Sequence, residues 1–300
     1  MKIGSMMRLM IAAAALLLPA LAAGTEPPKP GPKVGDAYEI LTDRETSQQT
    51  NDMSSGSSTD RDALIERVVG VRDDGLELEY DLPENSTADE RAGSWQFPVR
   101  VFKPAHGPLK LLNGPELEGR VDSWLKAGGM TRAACGHWIF TWNAFLIECD
   151  PQSAIKIVEA IDLRADDLVE GALYRDPDAR APAPLSRKKA GPGGAIFTVE
   201  MALDPDAARH ARAETDVTVA QISGKTLALD AALRARSAET LSGTITITFE
   251  TDASGEVRKR TRATTLEIKG PGPRIEKQTM TATVERRRVS KPAPDWRRTA

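Results

Sequence analysis

The chain has 300 residues, 40% hydrophobic, 28% charged and 5% aromatic. That composition is globular and excludes collagen-like repeats, wholesale disorder and a polytopic membrane protein. Lys+Arg 40 against Asp+Glu 43 leaves a net charge of −3, the wrong balance for a general nucleic-acid binder.

Residues 1–23 read as a secretory signal peptide. Lys2 and Arg8 supply a basic start, Leu9–Leu18 is an uncharged run, Pro19 breaks it, and Ala20-Leu21-Ala22 offers small-x-small cleavage. The run is too short to cross a hydrocarbon layer of roughly 30 Å comfortably as an anchor. No later apolar stretch is long enough either, so no transmembrane segment is expected after cleavage. A periplasmic or secreted location follows. Residues 24–34, GTEPPKPGPKV, hold too many prolines to pair a backbone ladder and read as a tether.

Strand signals dominate two modules, 35–175 and 195–290. Leu76–Leu82 alternates apolar and polar residues, and Asp74-Gly75 before it turns the chain back from Leu64–Val71, which predicts a hairpin. Ser54–Ser58 reads as a flexible turn. Pro115–Lys126 places Leu117, Val121, Trp124 and Leu125 at helical spacing, and Ser153 is positioned to cap a helix over Ala154–Ile161. Residues 176–194, with four prolines and Arg187-Lys188-Lys189, read as a linker or long loop. Asp204–Arg212 and Leu227–Ala238 predict further short helices. Thr244–Thr251 sets Ile245, Ile247 and Phe249 on one face, Ser254-Gly255 turns, and Glu256–Ile268 returns. Thr279–Val289 is another threonine-rich strand, and 291–300 reads as a tail. The class expected is α+β, a mainly antiparallel sheet with a minority of short helices; spacing does not choose among an open sheet, a half-barrel and a barrel.

One local constellation is sharp. In CGHWIFTWNAFLIECD, a hairpin closed by Thr141-Trp142-Asn143 pairs Phe140 with Ala144 and Ile139 with Phe145, and the same ladder brings Cys135 opposite Cys149. Opposed Cα atoms about 4.5–5.5 Å apart suit a disulfide, and an exported protein meets an oxidising compartment. The rival uses of these residues are a metal site from Cys135, His137, Cys149 and Asp150, or a cysteine nucleophile. The spacing lacks a C-x₂-C pair or a second nearby histidine, so no metal and no cofactor is expected. Trp138, Phe140, Trp142 and Phe145 form either a ligand platform or a core hairpin with Trp142 at its tip.

Residues 240–300 carry 13 Lys/Arg against 7 Asp/Glu. Arg258, Lys259, Arg260, Arg262, Arg286, Arg287 and Arg288 are therefore candidates for contact with an anionic surface, such as envelope lipid, a cell-wall polymer or an acidic protein partner. The alternative is that they face acidic residues of the first module or solvate strand edges. No P-loop, dinucleotide fingerprint, serine elbow or zinc-protease motif is present.

The phrases GLELEYDLP, SWQFPVRVFKP, CGHWIFTWNAFLIECDP and SGTITITFETDASGEVRKRT resemble an exported family of uncharacterised alphaproteobacterial proteins. That resemblance covers most of the mature chain and implies no activity. At fold level, a meander of long strands with few helices is similar to envelope carriers that hold a lipid or lipoprotein in a half-barrel. The function expected is non-enzymatic binding or carriage through a sheet surface or cavity, with an envelope hydrolase or other enzyme, its site not recognisable from sequence, as the alternative.

Overall fold

Period-two alternation runs through most of the chain, and long strands are its consequence. The computed structural model describes residues 31–140, 144–165, 168–191 and 193–289. The predicted signal segment 1–23, the tether through residue 30 and the tail 291–300 lie outside the described residues.

In chain order the elements begin with β1 (Ala37–Thr50), β2 (Ser55–Arg72), β3 (Gly75–Asp81), α1 (Ala88–Gly93), β4 (Val99–Pro104), β5 (Lys110–Leu111) and α2 (Gly114–Ala127). The middle holds β6 (Trp138–Phe140), β7 (Ala144–Leu146), α3 (Ser153–Ile161), β8 (Leu173–Tyr174), β9 (Ala183–Pro184) and β10 (Ser186–Lys189). The remainder comprises β11 (Ala195–Ala202), α4 (Pro205–Ile222), α5 (Leu229–Ala235), β12 (Thr240–Thr251), β13 (Val257–Lys269) and β14 (Ile275–Arg288).

Ten strands form one antiparallel sheet in the order β10-β11-β12-β13-β14-β1-β2-β3-β4-β5. The class is the expected α+β, and the sheet is open rather than closed into a barrel. β1 lies at its centre, paired on one side with β2 and on the other with β14, from Tyr38↔Arg288 to Thr50↔Glu276. Residues 35–175 thus supply β1–β5, and residues 195–290 supply β11–β14, of the same sheet.

The predicted hairpin before Leu76 is β2–β3, and that after Thr251 is β12–β13. In the latter turn Asp252 Oδ1 accepts from the N–H groups of Ser254 and Glu256, and Gly255 takes φ +83°, a conformation glycine adopts without steric cost. Several local expectations change: the helix predicted over Asp204–Arg212 runs from Pro205 to Ile222, and Ser186–Lys189, within the segment read as a linker or long loop, pairs with β11 at the sheet edge. Ser55–Ser58 opens β2 instead of turning: the backbone of β1 offers it a ladder, with Ser55 opposite Gln49 and Ser58 opposite Thr46. The turn itself sits just before, where the Thr50 amide and hydroxyl both donate to the Ser54 carbonyl. Ser153 does not cap α3. It stands inside the first turn, its own amide donating to the Asp150 carbonyl, and its buried Oγ has no partner among the described residues.

One face of the sheet carries the core. Phe197, Val199 and Met201 of β11, Ile245, Ile247 and Phe249 of β12, Leu78 and Tyr80 of β3, and Val99 and Val101 of β4 are all buried. Leu117, Val121 and Leu125 of α2 and Ala154, Val158 and Ile161 of α3 belong to the same cluster. Each such large side chain contributes about 1.5–3 kcal/mol by leaving water. The outer face is solvated and rich in threonine, with Thr244 and Thr265 hydroxyls 2.8 Å apart across β12 and β13.

Candidate functional site

The register decides which charged residues share the core face. Ile247 lies opposite Arg262 and Phe249 opposite Arg260, while Ile40 lies opposite Arg286 on one side and Leu64 on the other. Alternation along β2 then puts Glu66 between Leu64 and Val68 on that face. Charges placed among buried hydrocarbons require close partners, since an unpaired ion there costs several kcal/mol. Each of these has them.

Arg286 and Glu66 have side chains only 12% and 7% exposed. Arg286 donates through Nη2 and Nε to Glu66 Oε1 at 2.6 and 3.1 Å and lies 3.3 Å over the Tyr38 ring. Tyr80 Oη donates to the other Glu66 oxygen at 2.8 Å. Burial, followed by the charge of Glu66, raises the Tyr80 phenol well above its ordinary value. Arg286 also reaches Glu256, which in turn pairs with Arg258 at 2.9 Å. Arg258 donates twice more to Asp252, at 2.9 and 2.7 Å. Desolvation works against ionisation of Asp252, but bonds from Ser254 and Arg258 outweigh it and hold the carboxyl at about 2.

Arg260 serves α3. Its Nη2 and Nη1 donate to the carbonyls of Ala160 and Asp162 at 2.8 and 3.1 Å, satisfying acceptors that the end of a helix leaves open. Arg262 forms a two-pronged pair with buried Asp176, both bonds 2.9 Å, and adds Asp178 at 2.7 Å. Such parallel bonding is the strong form of an arginine–carboxylate contact.

Beyond α3 a third group forms. Lys103 Nζ and Arg164 Nε donate to the two oxygens of Asp162, each at 2.6 Å, and Arg164 Nη1 donates to the Pro104 carbonyl at 3.0 Å. Burial pushes the Asp162 carboxyl up, but the Lys103 charge and hydrogen bonds from Lys103 and Arg164 leave it below its usual range.

Six of these charged side chains line a cavity of about 490 Å³. Its walls are Ile40, Leu76, Leu78, Ile161, Leu163 and Val257; Glu66, Arg286 and Glu256 stand at one part of the rim and Lys103, Asp162 and Arg164 at another. Both volume and mixed lining fall within the range of small-molecule sites. A second cavity of about 480 Å³ shares Ala105, Asp162 and Arg164 with the first and is lined further by His106, Gly107, Glu159 and Arg260.

The predicted site residues are distributed as follows. Cys135 and Cys149 form a disulfide with Cα atoms 5.7 Å apart, in the predicted ladder of Trp138↔Leu146, Ile139↔Phe145 and Phe140↔Ala144. With both sulfurs bonded, neither is available as a thiolate ligand or nucleophile. Trp138 is half-buried and its Nε1 donates to Gln221 of α4 at 3.3 Å; Phe145 is exposed; Phe140 stands opposite Ala144; Trp142 lies outside the described residues. The seven basic candidates do not share one surface. Arg258, Arg260, Arg262 and Arg286 turn toward the carboxylates and carbonyls just described. Lys259 and Arg287 lie on the outer face beside Glu250 and Glu285, and Arg288 pairs with Asp36 at 2.6 Å. Among the described residues no helix is long and apolar enough to cross a membrane, and no group of three or more His, Cys, Asp or Glu is arranged to hold a metal ion.

The cavity residues Glu66, Lys103, Asp162 and Arg164 were not candidates on sequence. Glu66 carried a signal: it interrupts Leu64 and Val68 at a position that period-two alternation assigns to the core. Asp162 and Arg164 carried none, because only the fold brings them to Lys103, 59 positions from Asp162.

No family model and no curated protein matches the chain. Among solved structures it is similar to a chain described as "Lipid-protein interactions in lipovitellin", at 10% sequence identity and a TM-score of 0.38. The similarity covers 88% of this chain but spans only 26% of the length of that one.

Proposed function

We propose that the chain is an exported cell-envelope protein, periplasmic or secreted, that binds a small hydrophobic or amphiphilic ligand without transforming it. The observation carrying this reading is the 490 Å³ cavity, where apolar walls meet a rim of ion pairs on the helix-covered face. Apolar walls give affinity and the few polar groups orient the ligand. The rim favours binding over acid–base chemistry, because Asp162 is held ionised by its two cations and Glu66 is closed between Arg286 and Tyr80. The Cys135–Cys149 bridge supports an oxidising compartment, as does the leader-like composition of residues 1–23.

Native mass spectrometry of protein purified from its own envelope tests this reading. The expected result is a population carrying an apolar adduct, removable by organic extraction and reduced in a Leu76→Trp variant whose indole fills the cavity. Protein that carries no adduct, and takes up no apolar ligand after extraction, would overturn it.

A further inference from the structure

Resting on that reading, we infer that the ligand is a single-chain amphiphile with an anionic head, its chain between the sheet and the end of α3 and its head at Lys103 and Arg164. The first argument is volume. A methylene needs about the space of a liquid water, roughly 30 Å³, so the cavity of about 490 Å³ matches one acyl chain of roughly 12–16 carbons better than the two chains of a diacyl lipid. Ile40, Leu76 and Leu78 form the floor under such a chain, with Ile161 and Leu163 opposite.

The second argument is the unequal state of the two charged parts of the rim. At the cavity Arg286 is engaged by two carboxylates, Glu66 and Glu256, and all three of its guanidinium nitrogens have acceptors; the chain of ion pairs continues away from the cavity through Arg258, whose buried Nη1 has no acceptor among the described residues, to Asp252. Lys103, Asp162 and Arg164 instead set two cations on one carboxylate. Lys103 carries three donors and commits one to Asp162; Arg164 commits Nε and Nη1, while its Nη2 has no acceptor among the described residues. The side chains are 20% and 30% exposed, so these spare donors are sheltered yet reachable. An incoming carboxylate or phosphate would complete a second carboxylate-like site beside Asp162, through charge-assisted bonds.

The second cavity explains where the remainder of a larger head would go. It shares Ala105, Asp162 and Arg164 with the first, and His106, Glu159 and Arg260 give it a polar lining. A fatty acid, ending at its carboxylate, would leave that space to water. A lysophospholipid would fill it with glycerol phosphate. Both share the chemistry inferred here.

Isothermal titration of the extracted mature protein discriminates among them. The titrants are dodecanoate, 1-dodecanoyl lysophosphatidate, uncharged monododecanoylglycerol and didodecanoyl phosphatidate. One charged hydrogen bond accounts for about a tenfold change in affinity, so at least one single-chain anion should bind about tenfold more tightly than the uncharged ester. Which anion binds more tightly names the source, and the diacyl lipid should not bind. Lys103→Gln combined with Arg164→Gln should abolish the preference. Because that pair of changes strips Asp162 of its partners, Lys103→Gln with Asp162→Asn is the companion variant; it removes one cation and one anion together, leaves the net charge of the group unchanged, and should also narrow the preference. Equal affinity for the uncharged ester, or uptake of the diacyl lipid, would overturn the inference. If the native protein carries an apolar adduct of another class, the inference falls and the binding reading stands. If it carries none and binds none of the four, both fall.

Discussion

The flanks and the centre of the helix-covered face are built from one sheet in opposite chemistries. On the flanks, β11–β12 and β4 present Phe197, Ile247, Phe249, Val99 and Val101 to the core face, and burial of hydrocarbon holds the layers together. At the centre, β13, β14 and β2 present Arg260, Arg262, Arg286 and Glu66; ion pairs hold the last three, and backbone carbonyls at the end of α3 hold Arg260. Apolar contact is non-directional and fills space to native density. Ion pairs fix a few atoms at fixed separations and leave room between them. The cavity occurs along the ionic centre, which suggests why the protein spends charge on the middle of its core: the pairs span a gap that hydrocarbon would have closed.

Breaking the flank should have the largest effect. Phe249 is 1% exposed and meets the Tyr174 ring edge-on at 5.5 Å. Phe249→Ala removes a fully buried ring and should cost about 3–5 kcal/mol, read as a drop in the urea midpoint without a change in slope. Breaking the centre should cost slightly less but behave differently. Arg286→Leu alone leaves Glu66 buried without its cation, and a loss of about 3 kcal/mol is expected. Adding Glu66→Leu should restore much of that loss, because the orphaned charge disappears. Additive losses in that double-mutant cycle would mean that the centre stabilises as the flanks do, and the contrast would fail.

The flank was legible in the sequence and the centre was not, for a physical reason. Period two assigns Ile245, Ile247 and Phe249 to one face without knowledge of any partner strand. The arginines of β13 needed register. Register counted through the turn at Ser254-Gly255, allowing for the bulge after Glu250, sets Arg260 opposite Phe249 and Arg262 opposite Ile247. A basic run in an acidic chain reads instead as a surface patch, since sequence composition does not say which side of a strand faces the core. The cavity lies further out of reach: Lys103, Asp162 and Arg164 come from a strand and the segment after a helix, and no spacing rule joins them. β1 shows the same limit. Its outer half, Arg44–Gln49, is polar on both faces and is a strand because β2 and β14 pair with it.

The disulfide hairpin offers a smaller break. Its sequence separation is 14, and closing a loop of that size is worth roughly 3 kcal/mol in the chain-entropy account. The double change Cys135→Ser, Cys149→Ser should cost about 2–3 kcal/mol and leave the protein folded, because the two flanks persist. Hydrogen exchange should rise most in β6, β7 and the start of α3, and least in β12. A uniform rise would show that the hairpin is part of the global unit.

Alkaline titration sharpens the contrast from the ionic side. The folded Tyr80 phenol ionises well above its ordinary value, while in the unfolded chain it ionises near 10. The unfolded state therefore loses that proton first, so the stability due to neutral Tyr80 is fully present below pH 10 and is lost as pH rises beyond it. Phenolate absorbance should show the Tyr80 proton leaving only together with circular dichroism. In Tyr80→Phe the steep alkaline loss should soften. Ionisation of all three tyrosines ahead of unfolding would show that the Glu66 pocket admits hydroxide and is not sealed as drawn.

The smallest effect is expected from the basic residues that face away from the centre. Lys259 and Arg287 sit on the outer face against Glu250 and Glu285, with Arg287 56% exposed. Surface pairs of this kind contribute about 0–1 kcal/mol, so Lys259→Gln with Arg287→Gln should leave stability almost unchanged. Arg260→Gln, by contrast, removes donors from the carbonyls that close α3, and should cost about 1–2 kcal/mol although it lies one position along the same strand. The same two variants decide whether the basic run also meets an anionic surface. Contact through the exposed outer face would make Lys259 and Arg287 the residues whose loss weakens adhesion to anionic vesicles, most at low salt, with no change in melting. If vesicle binding falls only in Arg260→Gln, in step with its stability, the effect follows from a loosened α3 and the charge of the strand is spent inside the protein.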